Sequence, residues 1–198
     1  MYMEEIAEIK TYAKKEAVPI IKDETQEFIC ERIEEIAKTK PQVHVLEIGS
    51  AIGYSAIQFA RTSENVFVTT IEIDIDRHLK AQQNVSDSGL KERITTIYGD
   101  ALVTQIDGEF DVIFIDAAKA QYIKFFEKYK ENLADGGIII SDNLSFHGMV
   151  EDLSLTNNYS TKKLVKKIQK YIEFLKTNPD FTTEFFKCGD GISVTKRI

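Results

Sequence analysis

Four side chains pose the chemical question: Asp116, Lys119, Asp142 and Asn143. In VIFIDAAKAQY, residues 112–122, an apolar run that reads as a buried strand ends on a carboxylate, Asp116, with Lys119 three residues further on. A carboxylate there loses much of its hydration, so it needs a hydrogen-bond donor, a cation or a metal beside it. Twenty-six residues after Asp116, the run GGIIIS delivers Asp142 and Asn143 to the end of another apolar stretch. If the two runs are neighbouring parallel strands, two carboxylates and an amide carbonyl meet at the carboxyl edge of the sheet. Such a set, with no cysteine or histidine in it, suits a hard divalent ion such as Mg²⁺ that keeps places for water or substrate oxygens. A plainer reading stands beside it: Asp142–Asn143 caps the following segment, and Asp116 pairs with Lys119 alone.

A second constellation lies in EIGSAIGYSA, where Gly49 and Gly53 bracket a tight loop that opens a helix near Tyr54. Glycine lets backbone approach a ligand closely, and a helix N-terminus offers free N–H groups to a carboxylate or phosphate. The next strand ends at Glu72, 23 residues after Gly49, where an acidic side chain can accept hydrogen bonds from ribose hydroxyls. The glycines would equally serve a close strand-to-helix turn with no ligand. A dinucleotide site calls for G-x-G-x-x-G, whereas this loop reads E-x-G-x-x-x-G.

The elements that must carry these residues alternate between short β-rich runs and helix-patterned stretches, the signature of βαβ units around a mainly parallel sheet. Strands are expected at 43–48, 66–72, 94–98, 110–116, 138–142, 181–186 and 192–196, and helices near 54–61, 76–88 and 121–133. The strands are near-continuous apolar runs, as expected when both sheet faces are covered. Two further helices, about 3–16 and 24–38, precede the first strand and are separated by AVPII, where Pro19 interrupts helical structure. The connection CGDG at 188–191 suits a hairpin, which makes the last strand antiparallel. The expectation is one α/β domain over 1–198, a Rossmann-like fold with a seven-stranded, mostly parallel sheet, helices on both faces, and residues 1–40 as a helical appendage or lid.

With 198 residues, 43% of them hydrophobic and 29% charged, the chain has the make-up of a single globular domain. A formal charge of −7 argues against a chain built for unspecific nucleic-acid binding, yet leaves room for a local basic face. STKKLVKKIQK, residues 160–170, is such a face: it holds five lysines and no acid. As a helix it would turn Leu164, Ile168 and Leu175 inward and gather Lys163, Lys166, Lys167 and Lys170 on a solvated side that could meet phosphates or simply water. MYMEEIAEIK carries none of the features of a secretory signal, no segment approaches 18 apolar residues, and Cys30 and Cys188 fall outside any CxxC pattern. A cytoplasmic protein with reduced thiols and no membrane partner is expected. His44, His78 and His147 are read as structural or solvent-facing.

The loop E-x-G-x-x-x-G with Glu72 resembles motif I of class I S-adenosylmethionine-dependent methyltransferases. That resemblance implies that Gly49, Ala51 and Gly53 shape the loop around the methionine part of the cofactor, that Ser55 holds its carboxylate, and that Glu47 helps orient its amino group. It further implies that Glu72 binds the ribose and that Asp100 and Ala101 in YGDA border the adenine, although Asp100 is also natural turn chemistry. FIDAAKAQY followed by SDNLSFHG resembles the metal-dependent O-methyltransferases that include the catechol and caffeoyl-CoA enzymes. In that pattern Asp116, Asp142 and Asn143 hold a divalent cation, Asp116 also borders the cofactor, and Asp116 and Lys119 are catalytic, Lys119 as the base that takes the acceptor's proton.

Within that family, VPII near residue 18, GSAIGYSAI, DNLSFHGMV and the tail from NPDF to CGDGISV look most like small bacterial proteins that methylate 5-hydroxyuridine at the tRNA wobble position. The implied partner is a tRNA anticodon loop, with a small catechol-like compound as the alternative acceptor, and relatives of this kind are often homodimers. A 5-hydroxyuracil sets an acidic enol-like oxygen beside a carbonyl, so it can present two oxygens to one ion much as a catechol does. A non-catalytic nucleotide-binding module is a third reading, disfavoured by the ionic cluster.

Overall fold

The computed structural model describes residues 2–198. Its seven strands form a sheet of order β3-β2-β1-β4-β5-β7-β6, with β1 at Val43–Ile48, β2 at Val66–Glu72, β3 at Ile94–Tyr98, β4 at Phe110–Ile115, β5 at Leu133–Ser141, β6 at Phe181–Phe186 and β7 at Ile192–Arg197. The chain divides into two compact units, one ending at Ile106 and one spanning Asp107–Ile198.

The first unit holds helices α1 (Tyr2–Lys15), α2 (Asp23–Ala37), α3 (Tyr54–Arg61) and α4 (Ile75–Asp87) with β1, β2 and β3. Its strands are parallel, in a register that sets Glu47 beside Thr70 and Glu72 beside Tyr98. β1 is buried at five of six positions because apolar residues run almost unbroken through it, as two-sided cover demands. The expected appendage comprises α1 and α2; Arg61 of α3 reaches back to Glu5 at 2.8 Å.

The second unit holds β4 to β7 with α5 (Tyr122–Tyr129) and α6 (Tyr159–Lys176). β4 and β5 are parallel, while β7 runs antiparallel to both β5 and β6, between which it lies. β5 begins five residues earlier than its apolar run suggested and passes through Gly136 and Gly137. A Cβ on Gly137 would come within 3.0 Å of the Asp111 carbonyl, so only glycine lets the chain pass there. β4 and β5 both stop one residue short of the expected ends, so Asp116 and Asp142 are the first residues beyond their strands. On α6, Val165, Ile168, Tyr171 and Leu175 are buried; Leu164, expected inside, is only half-buried because Val165 and Tyr171 complete the i, i+3, i+6 stripe instead. Among the described residues no helix is long and apolar enough to cross a membrane, and Cys30 and Cys188 form no disulfide.

Helix α3 starts at Gly53, whose φ of 78° is left-handed and whose hypothetical Cβ would meet the Ala81 side chain at 3.2 Å. Gly53→Ala therefore combines backbone strain with crowding and should lower stability in urea by about 1–3 kcal/mol. An unchanged unfolding midpoint would show that the α3–α4 packing yields at no cost.

Candidate functional site

Beyond β1 the chain turns through Gly49 (φ 98°), Ala51 (φ 44°) and Gly53 (φ 78°). The turn is tied to β2, since the Gly49 and Ser50 N–H groups both donate to the Ile71 carbonyl at 2.9 and 3.2 Å. Glu72 closes the arrangement: one carboxylate oxygen accepts the Ala51 N–H at 2.8 Å and the other the Asp74 N–H at 2.9 Å. Each oxygen keeps a further lone pair that a hydroxyl could use. Within the loop the Ser50 hydroxyl is buried and has no hydrogen-bond partner among the described residues, an uncommon state for such a group. Sequence reasoning passed over Ser50; its only signal was a polar residue inside the glycine bracket.

Glu47 is fully buried. It is held by two hydroxyls, Ser55 donating to one oxygen and Thr70 to the other at 2.6 Å. Thr70 was not foreseen, because only the β1–β2 register makes it the neighbour of Glu47. Ser55, expected against the cofactor carboxylate, here commits its hydroxyl to Glu47 and so buttresses the joint between β1 and α3. Asp100 closes a turn: Oδ1 accepts the Leu102 N–H at 2.8 Å, and its carbonyl accepts the N–H groups of Val103 and Thr104. Ala101 beside it is buried.

The second cluster belongs entirely to the second unit. The Asp142 N–H reaches the Ile115 carbonyl at 3.3 Å, extending the β4–β5 pairing by one step. Asn143 follows with φ 64°, a left-handed conformation that asparagine tolerates better than most residues. From there its amide nitrogen donates to Asp116 Oδ1 at 3.0 Å, while its backbone N–H donates to Asp142 Oδ1 at 2.7 Å. The amide carbonyl of Asn143 remains as an acceptor. Asp116, Asp142, Asn143 and Lys119 are thus brought together, and Asp116, assigned to cofactor and cation alike, lies here. Desolvation raises the Asp116 carboxyl, opposed by the Lys119 charge and the Asn143 amide. Desolvation and then the charge of Asp116 push Asp142 up to about 7, opposed by the Asn143 N–H and by Lys119. Two carboxylates with one lysine between them are short of positive charge.

The CGDG connection does more than turn the chain. Buried Asp190 accepts the His147 N–H at 2.7 Å, and its carbonyl accepts the Ser145 N–H at 2.7 Å. Gly191 carries φ 85° and lies so close to Ser145 that a Cβ would sit 2.8 Å from its nitrogen. These contacts fix the loop that leaves Asn143, in which Phe146 and His147 are also left-handed. Among the described residues no group of three or more histidines, cysteines, aspartates and glutamates is suited to a metal; the cluster at Asp116 offers two carboxylates and an amide.

Comparison with known proteins agrees with this picture. The chain is 28% identical to O-methyltransferase ankF of Aspergillus thermomutatus over 175 residues, covering 81% of this chain and 73% of that protein. It is 34% identical to a catechol O-methyltransferase of Niastella koreensis over 120 residues, 57% of this chain and 54% of that one. A Staphylococcus aureus structure described as a proposed caffeoyl-CoA O-methyltransferase superposes with a TM-score of 0.90 at 36% identity, covering 98% of this chain and 92% of the other. The family model for O-methyltransferases matches residues 1–198, and the chain belongs to that family of enzymes.

Proposed function

We propose that the protein is an S-adenosylmethionine- and divalent-cation-dependent O-methyltransferase whose acceptor is 5-hydroxyuridine at the wobble position of tRNA. The observation that carries the chemistry is the cluster of Asp116, Asp142 and Asn143, an oxygen donor set with a deficit of positive charge. A hard cation such as Mg²⁺ fits both its chemistry and its charge. The cofactor fits the loop at Gly49–Gly53, where the Ser50 hydroxyl lacks a partner among the described residues and Glu72 keeps lone pairs for hydroxyl donors. An O-methyltransferase from Bacillus cereus, 24% identical, has been solved in complex with S-adenosylhomocysteine, what that cofactor becomes once its methyl group is gone.

When bound, the cofactor supplies an electrophilic methyl group, and the cation lowers the pKa of an acceptor hydroxyl. Asp116, Asp142 and the Asn143 carbonyl hold the cation and so decide which oxygen is activated. Lys119, three residues after Asp116, would act as the neutral amine to take the proton that the acceptor oxygen gives up. With the cofactor bound, that oxygen would receive the methyl group and the cofactor's sulfur would be the leaving group. Glu72 orients the cofactor by its ribose, and Glu47, locked by Ser55 and Thr70, keeps the β1–α3 joint rigid beneath the loop.

For the acceptor, the supporting observation is α6. Lys163, Lys166, Lys167 and Lys170 are all exposed on it, and Lys163 lies 4.5 Å over the ring of Tyr159, itself 71% exposed. A run of cations with an aromatic at its head is suited to phosphates and an unpaired base. The names of the Niastella and Staphylococcus relatives favour the alternative, a small vicinal-oxygen compound such as a catechol.

Methyl transfer to tRNA carrying 5-hydroxyuridine should be abolished by excess chelator and restored by Mg²⁺, with cofactor binding retained; turnover of catechols with inert tRNA would overturn the acceptor. Replacing Lys163, Lys166, Lys167 and Lys170 by glutamate should raise the KM for tRNA about tenfold or more and leave any catechol turnover nearly unchanged. Because the folded pKa of Asp142 stands above its unfolded value, the ionised group destabilises the cation-free fold, and this penalty grows as pH rises from about 4 to about 7. In chelator, Asp142→Asn should therefore gain stability over the parent protein across that window, by roughly 2–4 kcal/mol at about 1.4 kcal/mol per pH unit. Equal urea midpoints at pH 4.5 and 7.5 would remove the electrostatic deficit from the argument.

A further inference from the structure

The peptide bond that joins Asp142 to Asn143 is held at both ends. Its carbonyl accepts the Tyr122 hydroxyl at 3.0 Å, and its N–H donates to Asp142 Oδ1 at 2.7 Å. From that held peptide, Asn143 takes the left-handed φ of 64° and turns its amide to Asp116 at 3.0 Å. Tyr122 is only 1% exposed. Because Tyr122 and Asp142 are both buried, loss of the hydroxyl would leave a buried carbonyl without its donor.

The tyrosine is itself braced. Its ring meets Tyr171 of α6 edge-on, centroids 5.3 Å apart, and the Tyr171 hydroxyl bonds Ser141 Oγ at 2.7 Å. Tyr122 also lies six residues after Asp116 and three after Lys119. One segment therefore carries a donor of the cluster, its lysine and the group that aims the other two donors.

We propose that Tyr122 is a positioning residue: its hydroxyl, through the Asp142 carbonyl, sets the turn that presents Asp142 and Asn143 to the cation. This rests on the cation-dependent reading above. Groups that orient metal ligands from behind commonly change affinity by about tenfold to a hundredfold when removed.

Mn²⁺ binding, followed by calorimetry on the intact protein with S-adenosylmethionine present, tests it. Tyr122→Phe should weaken Mn²⁺ by about tenfold or more, with kcat falling and the cofactor dissociation constant unchanged. Tyr171→Phe, which also removes a buried hydroxyl bond but not one to that peptide, should leave Mn²⁺ affinity within about twofold. Parent-like Mn²⁺ affinity in Tyr122→Phe overturns the positioning role and leaves the cation reading standing. Absence of Mn²⁺ binding by the parent protein overturns the cation reading and this proposal with it. Should Tyr122→Phe fail to fold, the parent protein decides: in chelator the Asn143 amide should exchange with deuterium as slowly as the amides of β5, and exchange at the rate of an open loop overturns the proposal.

Discussion

Repulsion between two carboxylates taken out of water, Asp116 and Asp142, is the constraint around which the second unit is organised. Such a pair does not persist by default, because burial raises both pKa values and the charge of Asp116 raises that of Asp142 further. What holds it is geometric. Parallel β4 and β5 end within one residue of each other, an amide donates across the gap, and a lysine follows on the next turn of chain. The strain is placed where a ligand can relieve it and not spread through the core, a distribution typical of sites that bind or react.

The first unit solves a quieter version of the same problem. Glu47 is a fully buried carboxylate, and a hydroxyl donates to each of its oxygens, which ties β1 to β2 through Thr70 and to α3 through Ser55. Glu72, at the tip of the adjacent strand, takes its donors from backbone and keeps capacity for more. Two acids one strand apart therefore serve different ends, and the difference lies in who donates to them.

Much of this was legible in the sequence for physical reasons. β1 and β2 could be placed to the residue from largely apolar, covered runs, and the edge strands β3 and β6, much of whose length is exposed or half-buried, from their β-branched and aromatic content. A polar residue at the end of such a run can hardly be hidden, which is why Asp116 and Asp142 stood out. What was not legible depends on pairing across strands or on contacts between distant segments. Thr70 becomes a partner of Glu47 only through the β1–β2 register, and Tyr122 looks like any helix-entry aromatic until the Asp142 carbonyl is placed above it. The early start of β5 escaped because the apolar run begins only at 138, whereas Gly137 is a strand position where the Asp111 backbone passes closely. Leu164 was misplaced for the ordinary reason that a helical stripe drifts, and Val165 with Tyr171 occupies the inner face.

The place of β7 has a consequence for biosynthesis. It follows β6 in the chain yet lies between β5 and β6, so both flanking strands leave the ribosome with an unpaired edge and must wait for the strand that separates them. During that interval β5, buried along most of its length in the finished fold, is an open template for any extended segment nearby. The charged end of β7, Lys196 and Arg197, is the kind of feature that discourages mispairing, and the hairpin at Gly189 and Gly191 brings the correct strand home from the shortest distance.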